Sequence, residues 1–143
     1  MKRFIVIMVF ILVIIFIVSF NIKTVERQNN EVKKFNQEYE YFNKDTTTGI
    51  DITSLINKAS SNNEKYGIPK DKEGLYIIDD EYSIVIYVKM IINDTTYRME
   101  RLSGERLNTF TELFGTINFK CTDISYHEKN GRIASMTFEA TEY

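Results

Sequence analysis

The sequence predicts an α+β protein: an N-terminal transmembrane helix continuing into a stalk helix, then a short helix and an antiparallel sheet of about five strands with one inserted helix. Three observations carry this reading. Phe4–Val18 runs without a polar side chain, a near-heptad apolar stripe follows it, and from Lys70 the hydrophobic period changes from helical to alternating. The expected division is an anchor over 1–22, an amphipathic stalk helix and linker over 23–48, and an α+β domain over 49–143.

The anchor comes first. About 20 apolar residues cross a hydrocarbon core as helix, and Phe4–Ile22 meets that length if Ser19 bonds back to its own helix and Asn21 sits at the interface. A removable signal would need small residues before its cut. Ser19 is the one candidate, and Ile17 stands two positions earlier where a small side chain is preferred, so an uncleaved signal-anchor is expected. Lys2 and Arg3 on a three-residue tail hold the N-terminus in the cytoplasm and place the domain outside the cell membrane, although Lys23, Arg27, Lys33 and Lys34 count the other way.

Beyond the anchor, Ile22, Val25, Val32, Phe35, Tyr39 and Phe42 are spaced 3, 7, 3, 4 and 3 apart, with Asn29 at a seam position, which continues the helix to about Asn43. This stripe either packs on the following domain or forms a short self-associating coiled coil. Asp45-Thr46-Thr47-Thr48-Gly49 breaks the helix. Asp51 is then the expected cap of a second helix with Ile52, Leu55, Ile56 and Ala59 on one face, closed by Gly67 and Pro69.

Leu75–Asp79, Tyr82–Met90 and Thr95–Leu102 read as strands, with Ile84, Ile86, Val88 and Met90 facing the core and Ser83, Val85, Tyr87 and Lys89 a half-wet side. Ser103 is the expected cap of the inserted helix, whose buried stripe is Leu107, Phe110, Leu113 and Phe114 with Gly115 at its end. Ile117–His127 and Arg132–Ala140 complete the sheet around Asn130-Gly131. A two-residue loop would put Ile124 and Met136 on opposite faces. A three-residue loop, Lys129-Asn130-Gly131 with Gly131 left-handed, pairs Tyr126 with Ala134, Ile124 with Met136 and Thr122 with Phe138, and gathers the apolar side chains on one face.

Composition and motif searches mostly exclude. Without Lys2 and Arg3 the chain carries 16 basic and 20 acidic side chains, a net of −4, and no Lys/Arg block with interleaved aromatics, so nucleic acid is not an expected partner. Cys121 is the lone cysteine, expected as a small buried residue. Cys121 and His127 lie six apart on one strand, on the order of 20 Å at ~3.3 Å per residue, too far for a nucleophile and its base. His127 is expected as an exposed polar side chain. Asp71-Lys72-Glu73-Gly74 lacks the alternating acids of a calcium loop, Asp79-Asp80-Glu81 reads as a solvated turn, and Asn93-Asp94-Thr95 is a sequon without further support. No catalytic, cofactor-binding or metal residue is assigned, and no cofactor is expected. The nine tyrosines read mainly as half-buried strand and helix residues, some of which could present an amphipathic binding face.

The order of membrane helix, amphipathic continuation and antiparallel sheet resembles type IV pilins and pseudopilins. That resemblance implies an envelope assembly component, but the processing motif is missing: the first glycine is Gly49 and Met1–Ile22 contains no acid. Separately, LINKASSNNEKYGI (Leu55–Ile68) and FKCTDISYHEKNGRI (Phe119–Ile133) resemble segments of small, membrane-anchored, uncharacterised proteins of anaerobic Gram-positive bacteria, a likeness that carries no function with it. The expected function is a membrane-tethered, non-enzymatic domain acting through protein contacts or self-association, with lipid contacts through its first helix. The alternative is an extracytoplasmic sensor or small-ligand-binding domain, which needs a concave apolar pocket with convergent polar groups.

Overall fold

A single helix, Lys2–Glu40 (α1), opens the chain in the computed structural model, which describes residues 2–44 and 46–141, without the side chains of 2–6 and 93. Asp45, assigned above to the helix break, lies outside the described residues. Contacts divide the chain into two units, one ending at Lys34 and the other beginning at Phe35. In the first unit, Ile7–Phe20 are exposed along a helix long and apolar enough to cross a membrane. Asn21 and Thr24 donate side-chain hydrogen bonds to the carbonyls of Ile17 and Phe20, so these polar groups are satisfied within the helix.

The second unit is an α+β domain, and the last turns of α1 belong to it. Phe35, Tyr39 and Phe42 join its core, which fits the packing explanation of that part of the stripe. After β1 (Thr47–Thr48) comes α2 (Gly49–Lys65), then β2 (Val85–Met90), β3 (Thr95–Arg98), α3 (Glu105–Phe114), β4 (Asn118–Tyr126) and β5 (Ile133–Ala140). The sheet order is β1-β4-β5-β2-β3, antiparallel throughout except for the parallel β2–β5 pair.

Two of the expected strand assignments change. Leu75–Asp79 stays outside the sheet, and the fifth strand is Thr47–Thr48, paired with Phe119 and Asn118. The reason is backbone accounting. β2 has its two neighbours in β5 and β3, while the Tyr76 N–H goes to the Glu100 carboxylate and the Ile77 N–H to the Pro69 carbonyl, so the 75–79 segment is satisfied off the ladder. The expected strand Thr95–Leu102 likewise stops at Arg98 and turns into a 3₁₀ segment, Met99–Leu102.

Both expected caps shift. Thr48 rather than Asp51 caps α2: its hydroxyl accepts from the Asp51 N–H, and the Asp51 carboxylate accepts from the Thr48 N–H, a reciprocal capping box in which Asp51 is the third residue. At α3 the cap is Gly104 at φ +68, because the Ser103 hydroxyl bonds back to the Glu100 carbonyl. The α2 face of Ile52, Leu55, Ile56 and Ala59 is fully buried as expected. One turn later, buried Asn63 donates to the Ile84 carbonyl and accepts from the Ile84 N–H, standing in for a strand neighbour where β2 begins.

The terminal hairpin keeps the expected face and adjusts its register. Gly131 is left-handed at φ +73, but the loop has four residues, Glu128–Gly131, closed by Gly131 N–H to His127 and His127 N–H to Arg132. Tyr126 therefore pairs with Ile133 instead of Ala134. A bulge before Tyr126 restores the expected Ile124–Met136 pair, and a second after Cys121 sets Cys121, not Thr122, opposite Phe138. Each irregularity returns apolar side chains to the helix-covered face, where Ile133, Met136, Phe138 and Ala140 are buried.

Two glycines separate backbone strain from steric overlap. A Cβ on Gly131 meets nothing within 4 Å, whereas one on Gly49 would collide with the Phe114 carbonyl. In urea denaturation of the solubilised chain, Gly131→Ala is expected to cost about 1 kcal/mol through its positive φ alone, and Gly49→Ala about 3 kcal/mol or more.

Candidate functional site

An apolar concavity lies on the domain, an open groove of about 220 Å³ between α3 and the β2–β3 end of the sheet. Local chemistry makes it. After Met90 the strand alternation stops at Ile91–Asn93, a 3₁₀ turn ended by Asp94 in the left-handed conformation, so Ile92 is thrown outward and the chain returns as β3 with Tyr97 facing the helix. The Met99–Leu102 turn supplies Leu102, and α3 closes the far wall with Phe110 and Phe114. The expected α3 stripe is corrected here: Leu107 and Phe110 are buried, but Leu113 is 66% exposed on the groove's rim, opposite Ile92 at 70%. Phe114 is partly buried and packs against the core, so of the four apolar positions only Leu113 is left in solvent.

The charged member of the lining is Arg106. Its guanidinium bonds to the Arg101 carbonyl at 3.4 Å and has no carboxylate within ion-pair distance among the described residues. Apolar walls beside an available cation favour an occupant that pairs apolar side chains with a carboxylate.

A second cluster surrounds Arg132, which is only 7% exposed. Its guanidinium lies 3.8 Å from the Phe35 ring centre, 4.9 Å from that of Tyr66 and 5.2 Å from that of Tyr82, and the two tyrosines stack at 4.6 Å. Its bonds to the Tyr66 hydroxyl and Asn62 side chain are long, 3.4 Å each, and its Nε is without a partner among the described residues. The buried Tyr39 hydroxyl is also without one. Burial pushes that phenol well above its usual range, against the lowering influence of Arg132. Asn36 accepts from the Ile133 N–H and donates to the Gly131 carbonyl on either side of Arg132. This cluster joins the end of α1, the end of α2 and the final hairpin, and its aromatic cover makes it a clamp rather than a binding site.

The residues weighed from sequence fall elsewhere. His127 is buried rather than exposed, with Nε2 2.7 Å from the Ser83 carbonyl. Cys121 is half-buried, its thiol donates to the Asp123 carbonyl at 3.6 Å, and burial raises its pKa. The structure gives each its own backbone partner. Asp71 accepts the N–H groups of Glu73 and Leu75 and forms the expected turn. Asp79 accepts those of Glu81, Tyr82 and Ser83 on one carboxylate oxygen, which fixes the turn. No group of three or more His, Cys, Asp or Glu side chains suited to a metal occurs among the described residues. The side chain of Asn93 in the sequon is outside them. Sequence reasoning missed the groove because Leu113 fits a buried helical period; the weak signal was Ile91-Ile92, two apolar residues breaking the β2 alternation.

Comparison with known proteins returns no match to a family model, a curated protein or a solved structure.

Two measurements probe the clamp and the turn. Arg132→Met is expected to change unfolding free energy by no more than about 1 kcal/mol, because it removes a buried cation and leaves only half-exposed partners. Arg132→Lys is expected to cost about 2–3 kcal/mol, since an ammonium neither stacks flat nor reaches both acceptors. Partial burial alone would raise the Asp79 pKa, but the N–H donors of Ser83, Tyr82 and Glu81 and the Ser83 hydroxyl outweigh it and hold the carboxyl below its usual value. Its stabilisation is therefore complete above the unfolded pKa of about 3.9 and is lost as pH falls through the lower folded value. Asp79→Asn is expected to flatten that acid limb of the stability profile, and an unchanged limb counts against the turn's role.

Proposed function

We propose that this chain is a membrane-tethered, non-enzymatic domain that acts through protein contacts at the outer face of the cell membrane, as a pilin-like or envelope-assembly component. α1 supplies the tether, and its lipid contacts are those of the Ile7–Phe20 run. The observation that carries the proposal is the groove beside α3. At about 220 Å³ it falls below the ~300–1,000 Å³ of pockets that enclose small molecules, and it is open, which suits one or two apolar side chains of a partner. Ile92 and Leu113 on its rim extend the apolar surface a docking segment could cover. The non-enzymatic part is supported by His127 and Cys121, each engaged with a backbone carbonyl of another residue. A sensor would call for an enclosed cavity lined by tyrosines; Tyr97 is the single tyrosine in this lining.

A photo-crosslinking amino acid placed at Ile92 or Leu113 of the full chain in intact membranes is expected to form protein adducts of defined mass. The same group at Asn57, on the exposed side of α2, is expected to form none. Equal labelling from all three positions, or none from the groove, overturns the assignment.

A further inference from the structure

The segment that reads as a strand but does not enter the sheet offers the groove its occupant. Leu75–Asp79 has no partner strand beyond the isolated Lys70–Tyr76 bridge, yet it presents Ile77 and Ile78 at 49% and 56% exposure, adjoining residues of a chain that elsewhere on this domain buries most of its isoleucines. The segment is pinned from both ends. Tyr76 is buried and its carbonyl accepts from Arg98, and Asp79 gathers three backbone N–H groups. Exposed and fixed, Ile77 and Ile78 do not fill their own groove.

Charge completes the match. Of the three acids that follow, Asp79 is committed to the turn and Glu81 pairs with Lys129, while exposed Asp80 feels Lys129 only at longer range and forms no ion pair among the described residues. Arg106, at an otherwise apolar groove, has no carboxylate within ion-pair distance among the described residues. One short segment thus carries two exposed isoleucines and an acid outside ion-pair distance of any cation among the described residues, and the groove carries apolar walls and a guanidinium likewise without an ion pair among them. Resting on the reading of the groove as a protein contact, we infer that the partner is a second copy of this chain: Ile77 and Ile78 of one copy seat on the groove of the next, with Asp80 facing Arg106. Two different patches meet in such a contact, so it is head-to-tail and can be repeated from copy to copy. Anchoring in one membrane raises the effective concentration of the copies, which lets a contact of modest area persist.

The test uses full-length chains in membranes, in a Cys121→Ser background, with two distinguishable tags. One carries Ile78→Cys and the other Leu113→Cys, both at exposed positions. Mild oxidation is expected to yield a mixed-tag disulfide dimer when the two are co-expressed, and little dimer from either chain alone. Arg106→Glu on the Leu113→Cys chain is expected to lower that yield about tenfold, and Asp80→Arg on the Ile78→Cys chain to restore it. Same-tag dimers in equal amount, an unaffected yield with Arg106→Glu, or no restoration overturns the inference. If the mixed-tag dimer is missing while photo-adducts to another protein persist at Leu113, the self-contact fails and the protein-contact reading stands. If both are missing, both fail.

Discussion

The domain depends on β5 lying in the middle of its sheet. The C-terminal strand pairs antiparallel with β4 and parallel with β2, in registers that agree: Met136 stands opposite Ile124 on one side and Ile86 on the other, and Phe138 between Cys121 and Val88. A strand held from both sides cannot slip by one residue without sending its buried side chains to the wet face. Every covering element takes its position from that row of Ile133, Met136, Phe138 and Ala140. Ile52, Leu55 and Ile56 of α2 belong to the same core, and the end of α1 adds Phe35, Tyr39 and Phe42 to it. The parallel pair also explains why so much chain, β3, α3 and β4, intervenes between β2 and β5: a parallel neighbour needs a long crossover.

Where β5 begins, backbone groups are held by side-chain amides rather than by more strand. Asn36 brackets Arg132 through the Gly131 carbonyl and the Ile133 N–H, Asn63 does the same for Ile84, and Asn130 links the hairpin to the Glu81 carbonyl and the Arg132 N–H. An amide carries donor and acceptor side by side, so one asparagine satisfies two main-chain groups at once, and for Asn63 and Ile84 both bonds are buried. Arg132 sits at this junction among three aromatic rings, its charge shielded by ring faces instead of a carboxylate.

The functional reading follows from what the central strand leaves at the periphery. β3 has four residues and lies at the sheet edge, and the groove opens there, between it and α3. Leu113 and Ile92 are the exposed members of its lining. The 75–79 segment is displaced from the sheet because both sides of β2 are already taken. The domain thus carries two apolar surfaces, and their complementary charges, Arg106 and Asp80, give them a reason to meet.

The sequence by itself determined the elements whose pattern is local. The apolar run of α1 is uninterrupted, the α2 face of Ile52, Leu55, Ile56 and Ala59 repeats at helical spacing, the β2 alternation separates core from wet side, and Gly131 marks a turn that needs a positive φ. Such signals survive because each residue's burial follows from its immediate neighbours along the chain. Tertiary structure alone decided the rest. It chose Thr47–Thr48 over the better-patterned Leu75–Asp79 as the fifth strand, made β2–β5 parallel, inserted two bulges in the hairpin, buried His127 against Ser83 and left Leu113 in solvent. In most of these the deciding partner lies far away in sequence. A strand pattern states that a segment could pair, and only the competition for the two sides of each neighbour determines which segment does.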